Sequence, residues 1–377
     1  MTTFLQMHFL TAYPASNLNR DDTGRPKTVD FGGTTRLRIS SQSLKRAWRG
    51  SPVFQKQLEG HLGKRTQRLG DLVRAHLQEK GMSDEKAVET ARAIAGVFGK
   101  LAEEKAEKKS TKKGDKREDG GLKLPSTDIK QLAFVSPDEL SRALALADRA
   151  MAGEDIDVKA ADVLNRVDAA ADIAMFGRML ADNPSFNRDA AVQVAHAMTT
   201  HGVAVDDDYY VAVDDLKNPA LRDEDAGSSF IGNLEFGAGV FYTYVCINCD
   251  QLKANLDGDA AVARAAIAAL VEAATTISPS GKQNSFASRA RASFVLLERG
   301  NQQPRTLANA FLRALSDGEQ RKDAMESSRA RLMDLQQKMD EAYGACADAR
   351  TELYVTPDRP LNGSLSELIQ FGEASVA

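Results

Sequence analysis

Between residues 16 and 49 the chain reads SNLNRDDTGRPKTVDFGGTTRLRISSQSLKRAWR, and these residue types suit the holding of phosphate oxygens. Ser40 or Ser41 is placed to cap a helix by accepting one of its free first-turn amide protons. Lys45 and Arg49 stand four residues apart and share a face of that helix, while Gln42 and Arg46 form a neighbouring row. Amides, hydroxyls and cations gathered at one helix start are what a phosphate oxygen requires. Nucleic-acid backbone is the natural ligand, and a simple solvated basic face is the competing reading of the same residues.

The elements that would position these groups are short. A strand over residues 3–12 precedes the loop, a basic strand runs from Thr35 to Ile39 after Gly32-Gly33, and the first helix covers residues 40–49. From Phe54 to Leu164 the texture turns helical and rich in Ala, Glu, Lys and Leu. Helices are expected over Arg68–Lys80, Asp84–Ala106 and Ser136–Met151, with Pro137 in a first turn. The mixed-charge run EEKAEKKSTKKGDKREDGG (103–121) is expected as a loop. Residues 167–179 return to small, β-compatible types, and residues 191–200 read as a strand. A polar excursion over 201–232 leads to a strand at 239–249. The alanine-rich stretch 260–276 has helical spacing. Further expectations are a strand at 285–297, helices at 307–315, 321–343 and 364–371, and a strand at 352–355.

With the helical block and the excursion set aside, the order is strand–helix–strand–strand–helix–strand. That is the α+β, RRM-like (ferredoxin-like) arrangement split by insertions. The expected organisation is a discontinuous palm (1–53, 165–200 and 233–377), helical fingers inserted at 54–164, and a protruding thumb at 201–232.

Composition narrows the classes. The 377 residues carry a net charge of -4 and 42% hydrophobic residues, ordinary for a soluble chain with a sizeable core. No apolar run approaches the roughly 20 residues of a membrane span, and the N-terminus lacks a basic region ahead of its apolar stretch, so a cytoplasmic location without membrane contact is expected. Basic residues concentrate from Arg20 to Arg49, whereas Asp206–Asp208, Asp214-Asp215 and Asp223–Asp225 are acidic. Cys246 and Cys249 form a lone CxxC in what reads as a strand, with no second pair to complete a zinc site. No metal and no cofactor is expected.

Asn19–Asp22, Phe31–Gly33 and Arg38-Ile39-Ser40-Ser41-Gln42-Ser43-Leu44-Lys45-Arg46-Ala47 together resemble one family, the CasC-type backbone subunit of type I-E CRISPR surveillance complexes (Cascade; RAMP superfamily). The likeness resumes at Gly177-Arg178-Met179, at His196-Ala197-Met198-Thr199-Thr200-His201, and at Ala212–Leu216, Glu235-Phe236 and Gly239–Tyr242. It runs in order over most of the first 250 residues and weakens beyond. The resemblance implies guide-RNA phosphate contacts at Lys27, Ser40, Gln42, Lys45, Arg46 and Arg49, with Arg20 and Arg38 nearby and Lys282 a further candidate. It implies a thumb carrying Tyr209, Tyr210, Val213 and Ile231, and an apolar wedge at Met179. The partners implied are CRISPR RNA, target DNA reached through guide pairing, further copies of the chain in a helical filament, and other Cascade subunits.

The opposing class is a metal-dependent ribonuclease, because distant relatives cleave RNA with an aspartate in the loop after the first strand, where Asp21, Asp22 and Asp30 stand. No nucleophile–His–acid set, Walker loop or Rossmann fingerprint is visible. A non-enzymatic scaffold is the expectation. A generic RRM acting alone is the weakest reading, since RNP aromatics are not recognisable.

Overall fold

The structure is a computed structural model that describes residues 2–102, 125–212 and 230–376. Two compact units emerge, the first made of residues 1–57, 192–250 and 264–377, the second of 58–191 and 251–263.

The first unit opens with β1 (Phe4–Ser16), β2 (Thr28–Phe31) and β3 (Thr34–Ile39), followed by α1 (Ser41–Arg49) and α2 (Pro52–Gln57). β1 is buried on both faces. Leu5, Met7 and Phe9 supply one apolar face, while Gln6 and His8 on the other are satisfied by side chains: Tyr244 donates to Gln6 at 2.8 Å, and His8 meets Tyr242 at 2.9 Å and Glu298 at 3.2 Å.

Within the second unit lie β4 (Lys64–Thr66), α3 (Leu69–Glu79), α4 (Asp84–Ala95), β5 (Ala133–Val135), α5 (Pro137–Met151), α6 (Ala160–Val163) and α7 (Ala171–Phe176). Leu69, Val73 and Leu77 of α3 pack with Ala87, Ala91 and Ile94 of α4 and with Ala143 and Ala147 of α5, so helical spacing on all three helices faces one core. α5 starts where Pro137 suggested, with Ser136 and Glu139 exchanging bonds in a capping box.

The chain returns to the first unit through β6 (Val192–Val194), β7 (Ala197–Thr199), β8 (Asp206–Ala212) and β9 (Phe230–Asn248). After α8 (Cys249–Asn255) come α9 (Ala260–Thr276), α10 (Gln283–Phe286), β10 (Phe294–Gly300), α11 (Asp317–Tyr343), β11 (Ala349–Tyr354) and α12 (Leu365–Glu373). The sheet order is β11-β10-β1-β9-β7-β3-β2, with the pairs antiparallel. Its inner four strands, β10-β1-β9-β7, with α1 and α9 as crossovers, form the split βαβ arrangement that the element order suggested.

Several local expectations shift. Residues 171–176 form helix α7 and not extended chain, because Asp172 accepts the Gly63 amide at 2.8 Å and Ala171, Ile173, Ala174 and Met175 are fully buried. Residues 165–191 lie in the second unit. α4 ends at Ala95 against Gly96, short of the 84–106 span. The strand expected from 285 starts only at Phe294, because a single helical turn at 283–286 comes first. Residues 307–315 contain only the 3-10 turn Ala308–Phe311, and Cys249 begins α8, one residue past the end of β9. The 103–121 run lies outside the described residues. Among the described residues no helix is long and apolar enough to cross a membrane.

Candidate nucleic-acid interface

Asn19 organises the basic loop of the first unit. Its carbonyl accepts the Lys27 amide at 2.8 Å, and its side-chain oxygen accepts the Ser40 amide at 2.9 Å. The Lys27 carbonyl in turn accepts the Arg38 amide at 2.7 Å. One asparagine thereby ties the loop, the end of β3 and the cap of α1 into a single piece. Arg20 pairs with Pro26 at the neck of this loop and is exposed.

Ser40 caps α1 as expected, accepting the Ser43 amide at 3.3 Å. No acidic residue stands in the first turn, and Arg46 and Arg49 lie in the last. Leu44 and Trp48 bury the opposite side of the helix, leaving Gln42 and Arg46 exposed and Lys45 and Arg49 half-buried. A helix start without a carboxylate keeps its positive dipole end available to an anion.

β3 sorts its two arginines by environment. Arg36 is fully buried and donates to the carbonyls of Thr199 and Phe311, at 2.9 Å each, so its role is to join strands. Arg38 is half-exposed and donates to Nδ1 of His196 at 2.7 Å. Burial first, then the charges of Arg38, Lys27 and Lys45, lower the pKa of His196 below its ordinary value. Burial also lowers the pKa of Lys45. Lys282 is half-buried in a left-handed turn whose preceding Gly281 lies directly against the Asn17 and Leu18 carbonyls. A Cβ at position 281 would come within 2.2 Å of the Leu18 oxygen, so glycine permits this turn to dock beside the cradle loop.

The excursion forms a hairpin, in which Tyr209 pairs with Asn233, Tyr210 with Gly232 and Val211 with Ile231. Adjacent strand residues face opposite sides, so the two tyrosines cannot act on one base together. Both are exposed, Tyr209 at 66% and Tyr210 at 45%, and the Tyr210 ring lies over Gly232. Ile231 is placed only by its backbone register, and Val213 lies outside the described residues.

In the second unit, Met179 sits on a short antiparallel turn closed by the Arg178–Arg188 bridge. Both arginines are buried and ion-paired, Arg178 to Glu139 at 2.6 Å and Arg188 to Asp168 at 2.7 Å, and both donate to the Asn165 carbonyl. Their rigidity projects Met179 outward at 77% exposure; it is not core filler.

The aspartates proposed for metal chemistry have local duties. Asp21 accepts from the Thr23 hydroxyl at 2.8 Å and from the Thr23 and Arg25 amides at 2.9 and 3.0 Å. These bonds, the hydroxyl first, hold its carboxyl below the usual range. Asp30 accepts from Thr35 at 2.8 Å, and Asp22 is exposed. Among the described residues no group of three or more His, Cys, Asp or Glu is arranged to hold a metal ion. Burial pushes the Cys246 thiol up to about 11 and Cys249 up to about 12, so both stay protonated near neutrality.

Sequence reasoning missed Asn19 and His196 as parts of this site. Both fall within the motifs that carry the family resemblance, but the pairing of Asn19 with Ser40 spans 21 residues and that of Arg38 with His196 spans 158, so neither contact is legible locally.

Fold and site together define a split-βαβ sheet protein whose first helix has a capped, carboxylate-free start and carries Lys45, Arg46 and Arg49. The chain belongs to the CT1975-like protein family, whose model it matches over residues 5–369. It is similar to a chain of a structure described as "CRISPR RNA-guided surveillance complex, pre-nicking", at 30% identity and TM-score 0.78, covering 99% of this chain and 100% of that one. A second structure, described as "CRISPR RNA-guided surveillance complex", matches at 27% identity and TM-score 0.69 with the same coverage. No curated protein matches the sequence.

Proposed function

We propose that the protein is a non-catalytic backbone subunit of a type I-E CRISPR surveillance complex, polymerising along CRISPR RNA and presenting its bases to target DNA. The observation that carries this reading is the capped, carboxylate-free start of α1, tied through Asn19 to the Lys27 loop and so to the end of β3, where Arg38 stands half-exposed. Such contacts hold phosphates without reading bases, which suits a protein that must accept any guide. Sequence recognition is then delegated to guide–target pairing. The first unit serves as palm and thumb, with Tyr209 stacking on a base, and Met179 of the second unit acts as an apolar wedge. Copies associate head to tail, a heterologous contact that propagates a helix.

The ribonuclease alternative is disfavoured by the engagement of Asp21 in its own turn and of Asp30 with Thr35. The test is native mass spectrometry of the chain purified from cells expressing a CRISPR array and companion subunits, followed by incubation with target RNA and Mg²⁺. Several copies on one intact guide, with uncut target, is the expected result. Regularly spaced, metal-dependent cuts lost on changing Asp21, Asp22 or Asp30 would replace the scaffold with a nuclease.

A further inference from the structure

Arginine only donates hydrogen bonds. The 2.7 Å approach of the Arg38 guanidinium to Nδ1 of His196 therefore assigns a lone pair to Nδ1 and the ring proton to Nε2. His196 is exposed at the surface of the first unit, between β6 and β7. The charged groups that act on it are Arg38 from β3, Lys27 from the preceding loop and Lys45 from α1, all cationic. In the free protein the ring is thus an acceptor at Nδ1 that steadies Arg38.

Resting on the RNA reading above, we propose that His196 is an additional phosphate-binding residue of the cradle and that RNA binding is coupled to uptake of a proton at its imidazole. A phosphate that pairs with Lys27, Arg38 and Lys45 neutralises the charges that oppose protonation and adds a negative charge beside the ring. Arg38 turns toward the phosphate oxygens, Nδ1 becomes available, and the imidazolium then donates through both nitrogens. Burial first, and then the charge of these cations, lower the pKa of the free ring; the bound phosphate offsets the effect of the charges.

The sign follows from linkage. A group whose pKa is higher in the complex than in the free protein favours binding below its free pKa, and that gain is lost as the pH rises through its bound pKa. Each unit of difference is worth about tenfold in affinity. Affinity for single-stranded RNA should therefore rise as the pH falls from 8 to 5.5 at constant ionic strength.

The experiment measures binding of the full chain to a single-stranded RNA across that range, with His196→Gln as the non-titrating variant, and follows the imidazole of His196 by NMR with and without RNA. Expected are a pH-dependent affinity in the unmodified protein, a flattened profile in H196Q, and an upward shift of the His196 titration on binding. Unaltered pH dependence in H196Q, or a His196 titration that RNA leaves in place, overturns the coupling while salt-dependent RNA binding persists. Absence of RNA binding at every pH in the folded, unmodified chain overturns both the coupling and the RNA reading beneath it.

Discussion

Arg38 of the first unit and Arg178 of the second are both held by hydrogen bonds, yet their surroundings give them opposite uses. Arg178 is buried against Glu139 and also donates to the carbonyls of Phe134, Asn165 and Phe186. Its charge is balanced inside the protein. Arg38 stands half-exposed, bonded to a neutral imidazole, with Lys27 and Lys45 acting on the same ring. A matched guanidinium builds structure, and a half-exposed one can still pair with an anion.

The largest effect should come from unbalancing the matched site. Glu139→Ala strands the buried Arg178 and opens the cap of α5, and should cost about 3–5 kcal/mol; urea unfolding measures it. A loss below about 1 kcal/mol would break the contrast, since Arg178 would then tolerate its charge unaided. Next in size, Lys45→Glu with Arg49→Glu should leave folding intact and weaken RNA binding across sequences. If both residues contact phosphates, the slope of log affinity against log salt should shrink by about 1.4. Binding that does not change with these reversals at any salt would remove the cradle.

Smaller effects separate the two exposed elements. Tyr209→Ala should lose about 1–3 kcal/mol of RNA affinity if its ring stacks on a base, and Tyr210→Ala less, because its ring already covers Gly232. Equal losses, or an unaltered footprint in the double variant, would contradict that division. Met179→Ala should shift stability by no more than about 0.5 kcal/mol at its exposed position while loosening the protein on RNA. A large drop in melting temperature would instead make Met179 structural.

Legibility in the sequence tracked the range of the interactions involved. α1 with its Ser40 cap, α5 behind Ser136 and Pro137, and α9 over 260–276 were readable because cap chemistry and apolar spacing act within one or two turns. α7 was not, because its small residues take up a helix only with Asp172 bonded to Gly63, 109 residues away. The cradle was half-legible. Lys45, Arg46 and Arg49 announce themselves by helical spacing, whereas Asn19 and His196 join the site through distant partners. Arg36 and Arg38 look alike in TTRLRI, and only the packing of Thr199 and Phe311 against one of them distinguishes their roles.

The sequence by itself determined the capped starts of α1 and α5, the cations carried by the first helix, and the βαββαβ order of the sheet, because propensity, capping and periodicity are local. Only the tertiary structure decided that Arg38 meets His196, that the Tyr210 ring lies over Gly232, and that Met179 projects outward from a clamp of buried ion pairs. Those outcomes depend on burial and on Coulomb interactions between residues far apart in the chain, and such terms exist only once the chain has closed on itself.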